Sequence, residues 1–184
     1  DLYLPALPEL ARDLNTPTAT AQLSLTAGLL GLGLGQLFFG PLSDKYGRIR
    51  PLLLSLVLLL IASVGCAVAQ DIHQLLLARL FEGLSGAGGA VLSRAIARDM
   101  YSGHELTRFF ALLMLVNGLA PIAAPVMGGA LMAFLDWRGL FMVIALIALM
   151  LFILARVKLH ETLPVARRSQ GSIFSAWAAL GQVI

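Results

Sequence analysis

The chain has 184 residues, of which 59% are hydrophobic and only 12% charged, with a formal net charge of +3. Soluble globular domains are roughly 45–50% apolar and about 25% charged, so water is excluded as the solvent for most of this chain and lipid is implied. The positive charge is not gathered into a basic cluster with interleaved aromatics, which argues against nucleic acid. The single Cys66, and His73, His104 and His160 far apart in sequence, exclude a disulfide framework and argue against a metal cluster.

A helix needs about 20 mostly apolar residues to cross the hydrocarbon core. In chain order, DLYLPALPEL opens like the last turns of a span whose start is missing, and no signal peptide is expected. Further spans are expected at 21–43, 51–70, 73–97, 107–134 and 138–157. Both ends of the chain read as cut. The spans must be helical because lipid offers no partner for free backbone groups. The expectation is therefore an all-α integral membrane bundle of six spans over 1–157, the first truncated. Residues 158–184 are expected as a cytoplasmic loop, in which Ile173, Phe174, Trp177, Leu180 and Ile184 form either a short interfacial helix or the start of another span.

Six alternating spans place Lys45, Arg48, Arg50, Arg94, Arg98, Arg108, Arg156, Lys158, Arg167 and Arg168 on one side. Only Arg12 and Arg138 fall on the other, and Arg79 lies inside a span. Basic residues favour the cytoplasmic side, so the first set faces the cytoplasm. Trp137, at a span boundary, fits an interfacial aromatic belt on the opposite face.

Charged or small residues inside apolar runs mark candidate sites. In the second span Gly28, Gly31 and Gly35 form a stripe that reads as helix packing. GPLSDKYGRIR, residues 40–50, reads as a tight connection in which Gly40 and Gly47 permit close approach and a sharp turn. There Asp44 and Arg48, four apart, pair on one helical turn. The stretch is either a conformational device or a loop whose charges only mark topology. Asp1 and Arg79 are ionisable residues in apolar segments, which are functional hypotheses by default. Arg79 and Glu82, three apart, either neutralise each other or take part in proton coupling. In the fifth span Gly118, Pro121, Pro125 and Gly128 share one face, suited to close packing and a loosened backbone. Tyr3, Gln36, Met114 and Asn117 are the polar or polarisable residues expected to face a cavity.

Gly40, Asp44, Lys45, Gly47 and Arg48 resemble the G-x-x-x-D-R/K-x-G-R loop of the major facilitator superfamily, with Ile49 where a second basic residue is usual and Arg50 one place on. DLYLPALP, SRAIARDMY and ETLP, in that order, resemble the Bcr/CflA drug-resistance branch. Arg79 to Gly83 is similar to the superfamily's R-x-x-Q-G, with Glu82 in place of Gln. Gly118 to Gly129 is similar to its antiporter motif G-x-x-x-G-P-x-x-G-G, with Ala124 in place of the second Gly.

The resemblance implies the N-terminal half of a twelve-span transporter in a bacterial inner membrane, monomeric when complete. Its function would be proton-driven efflux of drug-like molecules with no cofactor beyond the proton gradient. It implies that Asp1 and Arg79 serve proton coupling, with Glu82 as an extra acid. The 40–48 loop would latch the two halves at the cytoplasmic side, and the absent C-terminal half would complete the cavity. Uptake or export of an endogenous metabolite by the same fold is the alternative. A remoter one is an intramembrane serine protease, because Gly83-Leu84-Ser85-Gly86 matches G-x-S-G, but the histidines lie near loops rather than beside Ser85.

Overall fold

The computed structural model describes residues 2–164, and among these every regular element is helical. A 3₁₀ turn at Leu4–Ala6 leads into α1 (Leu7–Asp13), followed by α2 (Thr18–Tyr46), α3 (Ile49–Val68), α4 (Ile72–Met100), α5 (Gly103–Leu131) and α6 (Trp137–Lys158). Helices α2 to α6 are each long and apolar enough to cross a membrane. They coincide with the five complete spans expected, with ends displaced by a few residues. Asp1, Arg167, Arg168 and the segment from Ile173 to Ile184 lie outside the described residues.

Local chemistry sets several helix ends. Asp71 caps α4, its Oδ1 accepting from the Gln74 amide at 2.9 Å, and the Gln74 side chain accepts from the Gln70 amide at 3.1 Å. Asp136 caps α6 by accepting from the Gly139 amide at 2.8 Å. The GPLSDKYGRIR stretch is not a loop through most of its length. Helix α2 continues to Tyr46, and the reversal is confined to Gly47 and Arg48. Gly47 has φ +91°, a backbone state that a side chain disfavours. Gly40 has no such role. It lies within α2, and a Cβ there would meet nothing within 4 Å.

The central contact is α2 on α4. Gly28, Gly31 and Gly35 lie on the buried face of α2. A Cβ on Gly31 would strike the Leu80 carbonyl oxygen, and one on Gly83 would strike the Gly28 carbonyl oxygen. The two backbones thus touch where side chains are absent, the arrangement by which helices associate in lipid. Helix α3 packs between α4 and α6.

Two apolar clusters fill the bundle. One, around Phe39, Leu52, Leu56, Leu92, Ile96 and Ala155, lies at the end where the basic residues gather. The other gathers Tyr3, Leu10, Cys66, Leu75, Trp137 and Phe141 at the opposite end. Trp137 belongs to this core and not to an interfacial belt. It is fully buried and its Nε1–H donates to Asp13 Oδ2 at 3.0 Å, so α1 satisfies the indole that an interface would have hydrated. Helix α5 is the outlier. Gly128 alone is buried on it, where a Cβ would strike the Leu2 carbonyl oxygen. Gly118 and Gly129 meet nothing within 4 Å, so the small-residue face of α5 is close-packed at one point only among the described residues.

Candidate functional site

Between the apolar clusters lies a buried charged layer. Arg79 and Glu82, each 5% exposed, project from the same face of α4 one turn apart. Arg79 Nη1 donates to Glu82 Oε2 at 2.6 Å. The carboxylate also accepts from Ser63 Oγ at 3.2 Å and from Cys66 Sγ at 3.5 Å, both on α3. The guanidinium carbon sits 4.7 Å from the Tyr3 ring centre and 5.9 Å from that of Phe141, and its Nε donates to the Ser24 carbonyl at 3.5 Å. The Tyr3 hydroxyl and Ser24 Oγ share a hydrogen bond of 2.8 Å. Gly28 makes room for this layer, since a Cβ there would lie 2.8 Å from Arg79 Nη2. The stripe Gly28, Gly31 and Gly35 therefore does two jobs, guanidinium clearance at its first member and backbone contact at the others.

A buried ion pair is expensive to desolvate and often contributes little net stability. In a membrane span such a pair marks function more readily than fold. The pair borders a cavity of about 270 Å³ that also touches Gly28, Leu32, Gly83 and Gly86. Leu32 and Gly86 also line a second cavity of about 520 Å³ with Gln36, Ser85, Arg94 and Asn117. Arg79, Glu82, Gly86, Gly89 and Ser93 recur every three or four residues. One face of α4 therefore runs along both cavities, from the buried pair towards the basic end.

The basic end holds a second network. Arg48 donates through Nε to Asp99 Oδ2 at 2.8 Å, and through Nη1 to Asp44 Oδ1 at 2.6 Å and Ser43 Oγ at 2.9 Å. One planar guanidinium thus ties the end of α2 to the end of α4, a task its fork geometry suits. Burial alone would lower the Arg48 pKa, but its bonds to Asp99 and Asp44 outweigh that and raise it. A group with a raised pKa contributes fully below its unfolded pKa and weakens only as pH rises through the folded one, here beyond the ordinary arginine range. Arg48 therefore stays cationic at every physiological pH. The segment after α6 completes the network. The Glu161 carboxylate accepts from the Arg48 amide at 2.8 Å and from the Ile49 amide at 3.3 Å, at the start of α3. Thr162 Oγ1 donates to Asp99 Oδ2 at 3.4 Å.

Of the residues singled out by sequence, Arg79 meets Glu82, Asp44 meets Arg48, and Gln36 and Asn117 share the larger cavity. Tyr3 lies against Arg79 instead of with Gln36 and Asn117. Met114 is 72% exposed. Lys45 leans over Tyr46, its Nζ 5.5 Å from the ring centre, and takes no part in the Arg48 network. Sequence reasoning missed Ser63, Cys66, Asp99 and Glu161. SRAIARDMY and ETLP contain the last two, but spacing alone does not bring them to Arg48. The Ser85 hydroxyl donates to the carbonyls of Phe81 and Glu82, as helix serines do, which gives no support to a nucleophile.

Comparison with known proteins agrees with this architecture. The profile of the Major Facilitator Superfamily matches residues 1–183. An uncharacterized MFS-type transporter, YdgK, of Bacillus subtilis is 43% identical over 100% of this chain and 46% of its own length. A bicyclomycin resistance protein homolog of Haemophilus influenzae is 33% identical over 88% of this chain and 41% of its own. Multidrug resistance protein D of Escherichia coli is 32% identical over 89% and 42% respectively. Among solved structures, the human organic anion transporter MFSD10 (TETRAN) superposes with a TM-score of 0.66 over 92% of this chain and 40% of its own, at 24% identity, a likeness of fold. The chain thus spans less than half the length of the relatives it matches.

Proposed function

The chain belongs to the Major Facilitator Superfamily, a family of transporters, and from that premise we propose that it forms the N-terminal half of a drug:proton antiporter of the bacterial inner membrane. The observation that carries the reading is the Arg79–Glu82 pair, buried in the bundle and bordering a cavity system along one face of α4. Relatives named for bicyclomycin and multidrug resistance support drug-like molecules as the substrate class.

A proton taken by Glu82 changes the charge around Arg79, Asp1 being the other candidate acid, and protonation at either changes the relative affinity of two conformations for substrate. Differential binding of that kind is what shifts a conformational equilibrium. The cavity face carrying Gln36 and Asn117 would contribute this half's share of the substrate site. The Arg48 network would hold the cytoplasmic ends of α2 and α4 as one unit while the halves rock against each other.

The test uses the full-length transporter in inverted membrane vesicles with a respiration-driven pH gradient. Addition of candidate drugs is expected to dissipate the gradient with wild type and to fail with Asp1→Asn. Equal dissipation by both would move the proton site away from Asp1. No response to any drug would overturn drug efflux and favour uptake or export of an endogenous metabolite.

A further inference from the structure

Five serines in the described spans are buried: Ser24, Ser43, Ser55, Ser63 and Ser85. Four of them donate to a carbonyl one turn back on their own helix, Ser24 to Ala21, Ser43 to Gly40, Ser55 to Leu52 and Ser85 to Phe81 and Glu82. That is the ordinary arrangement for a serine in a membrane helix. Ser63 departs from it. Its hydroxyl crosses from α3 to α4 and donates to Glu82 Oε1 at 3.2 Å.

We propose that Glu82 is a proton-carrying group and that Ser63 is the rotor by which α3 reads its charge. The proposal rests on placing the Arg79–Glu82 pair in the proton path. A carboxylate only accepts hydrogen bonds, whereas a carboxylic acid must also give one away. While Glu82 is charged, Ser63 and Cys66 donate to it from α3 and Arg79 donates from α4. When Oε1 takes a proton through the adjoining cavity, the nearest acceptor is Ser63 Oγ. The serine O–H then turns to the carbonyl of Leu59 or Leu60 on its own helix, the position its four counterparts already occupy. One proton is gained, no other group is ionised, and the hydrogen bond between α3 and α4 reverses direction without being lost.

The same event removes the negative charge of Glu82 from beside Arg79. Described groups around the pair include Tyr3 on the N-terminal segment, the Ser24 carbonyl on α2, Cys66 on α3 and Phe141 on α6, and none of these four carries a formal charge. Asp1, outside the described residues, is the further acid named by the sequence. A proton on Glu82 is thus felt by two elements at once, by α3 through the rotor and by the N-terminal segment through Arg79.

The test is infrared difference spectroscopy of the full-length transporter in lipid vesicles, comparing acid with alkaline pH. Wild type is expected to show the C=O stretch of a titrating, protonated carboxyl group. Glu82→Gln should lose it and Glu82→Asp should displace it. Ser63→Ala should displace both the band and its titration midpoint, and Ser63→Thr, which keeps the hydroxyl, should restore them. A spectrum unchanged in Glu82→Gln would overturn the proton site. A band present in wild type and unmoved by Ser63→Ala would overturn the rotor. These readings need no drug, so they stand or fall separately from the gradient experiment, which tests antiport itself.

Discussion

At the scale of single residues, the glycines of α2 separate into kinds that look alike in sequence. Gly31 and Gly33 lie two positions apart in the same apolar run. A Cβ on Gly31 would drive into the Leu80 carbonyl oxygen, whereas one on Gly33 would meet nothing within 4 Å. Overpacking a close contact costs about 1–3 kcal/mol, while replacing a helix-interior glycine by alanine in open space gains up to about 1 kcal/mol from helix propensity. Gly31→Ala is therefore expected to lower the unfolding temperature of the full-length protein in detergent, and Gly33→Ala to leave it unchanged or raise it. Equal effects at both positions would mean that α2 does not touch α4 in this register. The stripe itself was legible in the sequence, because 28, 31 and 35 share a helix face. Its division of labour was not, because clearance for Arg79 depends on where a side chain 51 positions away from Gly28 comes to rest.

At the scale of elements, hydropathy located all five complete spans, since lipid allows few other conformations. Their ends were harder to place. α2 runs beyond its apolar stretch to Tyr46, where the buried Ser43 and the exposed Asp44 both accept from the Arg48 guanidinium. Contacts between distant segments were invisible, and Glu161 is the clearest case. It lies 113 positions from Arg48 yet accepts from the backbone at the start of α3, where a helix has unsatisfied amides and a partial positive charge. A capping side chain contributes about 1 kcal/mol, which corresponds to about a fivefold change in local opening. Glu161→Ala is expected to speed deuterium exchange at the Arg48 and Ile49 amides by that order, with the α4 amides around Glu82 unaffected. Exchange unchanged at the α3 start would show that the segment after α6 does not hold it.

At the scale of the whole molecule, the folded arrangement explains which charges determine orientation. Of the thirteen lysines and arginines, Arg79 carries no weight because Glu82 neutralises it within the bundle. The two on the minority side serve local structure. Arg138 donates to the carbonyls of Ala67 and Ala69 at 3.0 and 2.7 Å, closing the end of α3, and stacks 4.1 Å over the Trp137 ring. Arg12 donates to the Pro8 carbonyl one turn back. The described residues at the other end include Arg50, Arg94, Arg98, Arg108, Arg156 and Lys158 in addition to the Arg48 network, and an excess of that kind is retained on the cytoplasmic side. The turn at 132–136 should therefore face outward and the turn at 101–102 inward. Both turns offer exposed positions for a reporter thiol, Ala133 and Ser102, while Cys66 is fully buried. With a membrane-impermeant maleimide on intact cells, Ala133→Cys is expected to label and Ser102→Cys to label only after permeabilisation. The reverse pattern would invert the protein. The Arg48 network would then sit at the outer surface, where it could not hold cytoplasmic helix ends together, and the role proposed for it would fail together with the orientation.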